Sequence, residues 1–104
     1  MAMFNPAHSG ELIKETIAGI AEETGKKLSI EEVANGLGTT RKTLSAIING
    51  KQSVTPEMAI KLATSFNNTT PEFWLQIQDS YNLFLARKKV DTKNIKVFWE
   101  AAVL

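Results

Sequence analysis

The chain has 104 residues, 43% of them hydrophobic, which is enough for one domain with a modest core. Twelve basic and eleven acidic residues give a formal net charge of +1, so the chain as a whole is not a polybasic nucleic-acid-binding arm. The absence of cysteine excludes disulfides, thiol catalysis and thiolate metal sites. No apolar run is long enough to cross a bilayer and the N-terminus lacks the features of a signal peptide, so we expect a cytoplasmic protein without a membrane partner.

A first helix is predicted where apolar positions recur with helical period before Gly25, a typical residue at the end of a helix. The repeating positions are Leu12, Ile13, Thr16, Ile17, Ile20 and Ala21. Ser29 and Glu32 then have the spacing of a capping box, in which each side chain satisfies a backbone amide of the other residue. A second helix is therefore expected to begin at residue 30.

Residues 30–49 have the spacing of a helix-turn-helix. Ala34 is small enough for a second helix to cross the first one, and Gly38 falls four residues later at the turn. Leu44 and Ile47 are three residues apart, so they lie on one face of the second helix and can lock it down. Typical capping residues mark the two ends of that second helix, namely Thr40, Asn49 and Gly50.

Burial of Leu44 and Ile47 would turn the rest of this helix outward, where a DNA major groove could receive it. The outward residues are Arg41, Lys42, Thr43, Ser45, Ala46 and Asn49. Arg41 and Lys42 lie at the helix N-terminus, where recognition helices usually meet base edges, and arginine can bond to guanine in bidentate fashion. Ala46 could pack against a thymine methyl group. The alternative interpretation is an ordinary solvated helix face.

Charge is unevenly distributed along the chain. Residues 1–32 hold six acids against three lysines, whereas no acidic residue lies between Glu32 and Glu57. Lys51 and Gln52 follow the second helix within this acid-free stretch and are natural phosphate contacts. A few phosphate contacts per subunit give weak, salt-sensitive binding unless a second subunit contributes as many again, so we expect a homodimer on double-stranded DNA.

Two similar tripeptides, Thr55-Pro56-Glu57 and Thr70-Pro71-Glu72, each combine an N-cap threonine, a proline suited to the first helical position and an acid that favours the helix dipole. Helices four and five are predicted to start there. The fourth is lined by Ala59, Leu62, Ala63 and Phe66, and the fifth by Trp74, Ile77, Tyr81 and Phe84. We expect this aromatic stripe to be core or dimer interface rather than a ligand site. The aromatic area is more than one small domain readily covers, so we assign some of it to a dimer interface, with Trp74, Tyr81, Phe84 and Trp99 as the candidates.

Residues 88–104 form a C-terminal extension after the DNA-binding domain predicted for residues 1–87. A short helix would align Ile95, Phe98, Trp99 and Ala102, whereas a strand would align Ile95, Val97 and Trp99. We favour the helix, with dimerisation as the role of the extension. A second basic cluster surrounds this segment, and its residues are Arg87, Lys88, Lys89, Lys93 and Lys96. Three interpretations of this cluster stay open: a solvated tail, additional phosphate contacts, or a contact surface for an acidic partner.

Little in the sequence indicates catalysis. The single histidine, His8, precedes the first helix, where we expect it to cap the helix rather than to bind a metal. The Gly36-Leu37-Gly38 stretch begins like a dinucleotide-binding loop, but Arg41 stands where the third glycine is required. No spacing pairs two glutamates as acid and base. We therefore predict neither an enzyme nor a metal or cofactor site.

Five motifs follow one another between about residues 5 and 86. They are Asn5-Pro6-Ala7-His8-Ser9-Gly10-Glu11-Leu12, Leu37-Gly38-Thr39-Thr40-Arg41-Lys42-Thr43-Leu44-Ser45, Asn49-Gly50-Lys51, Thr55-Pro56-Glu57-Met58-Ala59 and Pro71-Glu72-Phe73-Trp74-Leu75. In this combination the chain resembles the HigA-type antitoxins of the XRE helix-turn-helix family, whose signature is also known as virulence-associated protein I.

The resemblance implies an all-α, five-helix, lambda-repressor-like domain that dimerises and binds a palindromic operator ahead of its own operon. It also implies a small ribonuclease toxin of the HigB or RelE-like type as the partner that the protein neutralises. The family's operator-reading positions correspond to Arg41, Lys42, Thr43, Ser45 and Asn49, and its DNA-backbone contacts to Thr40 and Lys51. The chain departs from the family pattern at Ser9, where proline is usual, and at Ala46, where a basic residue or glutamine is common.

Three hypotheses remain open from the sequence. The leading one is an operon-specific repressor that is also an antitoxin. The second is a free-standing transcription regulator without a toxin partner. The third is a helical interaction module whose helix-turn-helix packs against protein, which steeply salt-dependent DNA binding would exclude.

Overall fold

A computed structural model of the chain describes residues 6–100, which fold into five α-helices without a strand in that range. The helices are α1 (Ser9–Thr24), α2 (Ile30–Leu37), α3 (Arg41–Ile48), α4 (Pro56–Ser65) and α5 (Pro71–Lys89), followed by a short 3-10 turn over Thr92–Asn94. The all-α, five-helix fold predicted from the sequence is therefore confirmed, and α2 and α3 form the helix-turn-helix.

Each helix begins at a residue whose side chain accepts a hydrogen bond from the backbone of the first turn. The five N-caps are His8, Ser29, Thr40, Thr55 and Thr70. At α2 both bonds of the predicted capping box are present, with the Ser29 amide donating to Glu32 Oε1 at 3.2 Å and the Glu32 amide donating to Ser29 Oγ at 3.1 Å. Such caps contribute about 1 kcal/mol each, so the helix boundaries are encoded locally.

The core lies where the five helices meet. Its buried apolar side chains are Ile13, Val33, Ala34, Leu37, Leu44, Ile47, Val54, Met58, Ala59, Leu62, Phe66 and Trp74. Leu44 and Ile47 are 0% and 2% exposed, and each stabilises the position of α3 by roughly 1.5–3 kcal/mol through burial. Because α3 packs against α1 and α2 on one side, its opposite side is left to solvent.

The buried face of α5 differs from the predicted one. Trp74 is completely buried, and its indole N–H donates to Thr69 Oγ1 at 2.9 Å, whereas Tyr81 and Phe84 are only half-buried. The second buried residue of α5 is the polar Gln78. The assignment of Trp74 to a dimer interface is therefore wrong, because the core of its own protomer already covers the ring.

The helix predicted for the C-terminal extension is also wrong within the described residues. α5 continues to Lys89, Asp91 caps the 3-10 turn, and the chain from Ile95 to Glu100 has no regular structure. Every residue from Ala86 to Glu100 is exposed. A segment this short forms a stable helix only when its apolar face is buried, and no residue of this segment is buried in the protomer. Ala102, the last residue of the predicted helix, lies outside the described residues.

Candidate nucleic-acid interface

The outer face of α3 carries the side chains that the sequence assigned to DNA. Arg41, Lys42 and Asn49 are exposed, and the three remaining side chains of this face, Thr43, Ser45 and Ala46, are half-buried. The face is therefore a shallow surface with long cations at its N-terminal end and short polar or methyl groups along its middle. This pattern suits a groove that approaches the helix closely.

Hydroxyl groups fix the beginning of α3. Thr40 Oγ1 accepts from the Thr43 amide at 3.1 Å and donates its own proton to Thr43 Oγ1 at 3.0 Å. One hydroxyl proton of this pair is used between the two threonines, so at most one is left to donate to a phosphate.

The loop after α3 folds back onto the end of the helix. The amides of Lys51 and Gln52 both donate to the Ala46 carbonyl, at 2.8 and 3.2 Å. The two side chains are exposed and follow Asn49 closely in the chain, as expected for groups that would contact the DNA backbone beside a recognition helix.

A buried glutamine that sequence reasoning missed holds this loop in place. Gln78 Oε1 accepts from the Val54 amide at 2.8 Å and from Ser9 Oγ at 3.1 Å, and Gln78 Nε2 donates to Asn82 Oδ1 at 3.0 Å. One side chain of α5 thus joins the beginning of α1 to the end of the loop that carries Lys51. A lone glutamine inside a helix gives no sequence signal for this role.

A glycine supports α3 from behind. A Cβ atom at Gly10 would lie 2.6 Å from the Cα atom of Ile48 and still closer to backbone carbonyl oxygens of α3, so only glycine permits this helix crossing. Gly10 belonged to the motif that suggested the family, but its contact with α3 could not be derived from spacing.

Gly38 and Lys61 of α4 stabilise the turn between α2 and α3. Gly38 adopts the left-handed conformation with φ of 74°, which glycine tolerates at no steric cost, and thereby ends α2. Lys61 Nζ donates to the Gly38 carbonyl at 3.2 Å, so a cation also sits at the negative end of the α2 dipole. Sequence analysis did not single out Lys61.

The electrostatic character of the face follows from the acid-free stretch between Glu32 and Glu57. Within residues 6–100, no carboxylate lies within ion-pair distance of Arg41, Lys42 or Lys51. The three cations are therefore available to an external anion.

Comparison with known proteins identifies the fold. Residues 23–74 match the helix-turn-helix family. Virulence-associated protein A′ of Dichelobacter nodosus is 39% identical over 98% of this chain and 83% of its own length. The structure of an addiction module antidote protein of a HigA family from Coxiella burnetii is 36% identical, covers 83% of this chain and 87% of its own, and superposes with a TM-score of 0.69. The chain belongs to the HigA family of helix-turn-helix proteins.

A second solved structure, antitoxin GraA in complex with its operator, superposes on this HigA-family chain with a TM-score of 0.73. It is 25% identical and covers 99% of this chain and 98% of its own, a span that includes residues 90–100. The motifs from residue 5 to 86 that suggested HigA therefore identified the family correctly.

The single histidine of the HigA-family chain lies directly before α1. His8 Nδ1 accepts from the Gly10 amide at 3.0 Å, so this histidine caps α1 as expected. Among residues 6–100, no group of three His, Asp or Glu side chains is arranged to hold a metal ion. In the same range, no helix combines the length and apolar character needed to cross a membrane.

Proposed function

We propose that this protein is a sequence-specific, operator-binding transcriptional repressor that also acts as the antitoxin of a toxin–antitoxin module in the cytoplasm. The observation that carries the proposal is a group of three exposed cations, Arg41, Lys42 and Lys51, on the outer face of α3 and in the loop after it. No carboxylate of the described residues lies within ion-pair distance of them. It is supported by the operator bound to the related GraA and by the antidote role named for the Coxiella relative.

In this proposal the outer face of α3 reads the operator. Arg41 and Lys42 meet base edges near the start of the helix, and Ala46 packs against a thymine methyl. Short polar side chains complete the reading surface, namely Thr43, Ser45 and Asn49. Lys51 and Gln52 contact phosphates and set the register of the helix in the groove. Thr40 contributes through its backbone and through the cap that orients Thr43.

The proposed assembly on DNA is a homodimer, because one short helix and a few phosphate contacts read too little sequence alone. Tyr81, Phe84 and Trp99 remain as proposed interface residues, since each leaves aromatic surface exposed on the protomer. The protein partner would be a small ribonuclease toxin of the HigB or RelE-like type, as the HigA family implies.

The test of repression is a binding titration on the DNA immediately upstream of the operon that contains the chain's reading frame, with a scrambled duplex of equal length as control. We expect preferential binding to the upstream DNA and a steep loss of affinity as salt rises. Equal affinity for both duplexes would contradict sequence-specific repression.

The test of the antitoxin role is co-expression with the adjacent reading frame. We expect the adjacent frame alone to stop growth and this chain to restore it, with both proteins copurifying. A harmless neighbour, with operator binding intact, would instead favour a free-standing regulator.

A further inference from the structure

The dipeptide Asn-Gly occurs twice in the chain, as Asn35-Gly36 in α2 and as Asn49-Gly50 at the end of α3. Asparagine before glycine is especially prone to deamidation, because glycine has no side chain to keep its backbone nitrogen away from the asparagine carboxamide. All four of these residues are exposed. The two sites therefore have closely similar intrinsic reactivity, and they differ in the backbone around them.

The helix backbone protects Asn35. Ring closure between a glycine nitrogen and the preceding carboxamide requires the asparagine to leave helical dihedral angles, which breaks intrahelical hydrogen bonds. Asn35 and Gly36 lie within α2, between the buried Ala34 and Leu37. The Asn35 carbonyl also accepts from the Gly38 amide at 3.1 Å. Reaction at Asn35 therefore requires a part of α2 that is anchored in the core to open.

Asn49 lacks this protection. It follows the last residue of α3, and its ψ angle is 5°, away from the helical value of about −42°. Gly50 has a φ of 73°, in the left-handed region that glycine adopts at no steric cost. Residues 49–53 are all exposed, so opening this segment uncovers little apolar surface. Ring closure costs backbone hydrogen bonds, such as that from the Gly50 amide to the Ile47 carbonyl at 3.1 Å, but displaces no buried side chain.

We propose that Asn49 deamidates spontaneously in the folded protein, ahead of Asn35, and that the resulting carboxylate releases the protein from its operator. The Gly50 backbone nitrogen attacks Asn49 Cγ and closes a succinimide ring. The bond from Cγ to the side-chain nitrogen breaks, and ammonia leaves with the proton of the Gly50 amide. Water then opens the ring, giving aspartate when it adds at Cγ and isoaspartate when it adds at the backbone carbonyl carbon of Asn49. No other reactant is needed.

The product changes the charge of the proposed DNA face. A carboxylate replaces a neutral carboxamide two residues before Lys51, and the formal net charge falls from +1 to 0. The carboxylate has no N–H donor, and it is repelled by phosphates. This effect rests on the proposed operator binding, whereas the reaction at Asn49 does not.

The isoaspartate product also changes the backbone. Its main chain is longer by one methylene group, which displaces the loop whose Lys51 and Gln52 amides bond to the Ala46 carbonyl. Loss of ammonia is not reversed in either product. The operator affinity of each molecule therefore falls with age, and repression depends on continued synthesis of the chain.

The first experiment follows both sites in one sample without DNA. Trypsin cuts after lysine and arginine, so it releases Asn35 in the peptide of residues 28–41 and Asn49 in that of residues 43–51. The protein is aged at mildly alkaline pH, where the attacking amide loses its proton more readily, and mass spectrometry measures the conversion of each peptide. We expect Asn49 to convert about tenfold faster or more, which corresponds to about 1.4 kcal/mol between the two opening costs.

Ageing in urea provides the control, because the unfolded chain presents both dipeptides alike. We expect the two rates to become equal there. Equal rates in the folded protein would contradict the protection of Asn35 by α2. Conversion in urea without conversion of Asn49 in the folded protein would show that the end of α3 is closed to the reaction. A preference in urea as large as that of the folded protein would assign it to neighbouring residues. Each of these three results would overturn the proposal.

The second experiment measures operator affinity. We expect Asn49→Asp to weaken binding about tenfold or more, whereas Asn35→Asp, with the same change of net charge, should weaken it about threefold or less. The parent should lose affinity on ageing in step with Asn49 conversion. Asn49→Gln closes the corresponding ring far more slowly, so it should keep the affinity that it has when fresh. An Asn49→Asp variant that binds like the parent would overturn the release.

Failure of the proposed function gives a different result. A fresh parent protein that binds its operator no better than a scrambled duplex would refute repression, and with it the release, even where Asn49 converts ahead of Asn35. Selective conversion of Asn49 with undiminished operator binding would refute the release and leave repression in place.

Discussion

Arg41 and Lys51 are both exposed cations, but they lie at opposite ends of the proposed DNA face. If Arg41 reads a base edge, Arg41→Ala should cost roughly 1–3 kcal/mol on the operator and flatten the preference at one base pair per half-site. Lys51→Ala should instead weaken binding to all sequences alike. Titrating both variants on operator and scrambled duplexes distinguishes the roles, and equal losses for Arg41→Ala on both duplexes would contradict base reading.

Gln78, unlike these two cations, is buried, and it lies on α5 rather than on the proposed DNA face. Gln78→Leu removes the acceptor of the Val54 amide and of the Ser9 hydroxyl. We expect a loss of roughly 1–3 kcal/mol in the free energy of unfolding, because buried donors are left unpaired. The control is Gln76→Leu, the same change at an exposed position of α5. Thermal unfolding of the two variants checks this, and equal stabilities would show that the buried network is dispensable.

At the scale of the helices, the crossing of α1 and α3 depends on the missing side chain of Gly10. Gly10→Ala should force the helices apart, cost roughly 1–3 kcal/mol and weaken operator binding although no charge is removed. Gly19→Ala is the matched control in the same helix, because no atom from another part of the described chain lies within 4 Å of its Cβ position. We expect that control to stabilise the protein by roughly 0.5–1 kcal/mol. Denaturant unfolding measures both, and a neutral Gly10→Ala would refute the close approach.

The elements that could be predicted from the sequence are those with local causes. Thr55 and Thr70 each precede a proline at the first helical position, and both cap their helices in the structure. The apolar spacing of Leu44 and Ile47 was sufficient to predict which side of α3 faces the core. The opposite side of the helix must then face solvent. The composition of the candidate DNA face followed from that orientation alone.

The features that escaped prediction depend on contacts between distant parts of the chain. Gln78 is buried because its polar groups meet Ser9 and Val54, which lie 69 and 24 residues away in the sequence. The aromatic residues of α5 suggested one shared face, but the position of α4 buries Trp74 and leaves Phe84 half-exposed. The apolar spacing of residues 95–102 resembled a helix, but every residue from Ala86 to Glu100 is exposed, so no buried face stabilises a helix there.

For the whole molecule, the proposed dimer on DNA should be detectable in the salt dependence of binding. A dimer on DNA places its two α3 helices in successive major grooves, roughly 34–36 Å apart. Each phosphate-contacting residue is then present twice, once in each protomer. Lys51→Ala should then reduce the slope of log affinity against log salt by about 2 rather than about 1. A footprint covering two half-sites one turn apart would accompany it, whereas a change of about 1 with a single protected half-site would contradict a dimer on DNA.

The separation of charge between α1 and α3 has a consequence for how such a protein searches a genome. α1 exposes four glutamates, Glu11, Glu15, Glu22 and Glu23, while α3 begins with two cations. With a net charge of only +1, attraction to random DNA at long range is weak, so little of the protein is lost on the vast excess of unrelated sites. Within about 10 Å of a duplex at 0.1 M salt, the opposed charges exert a torque that turns the acidic helix outward and the recognition helix inward. Collisions in the wrong orientation would then be repelled, and a protein that binds DNA through the proposed face would reach the groove already aligned for reading.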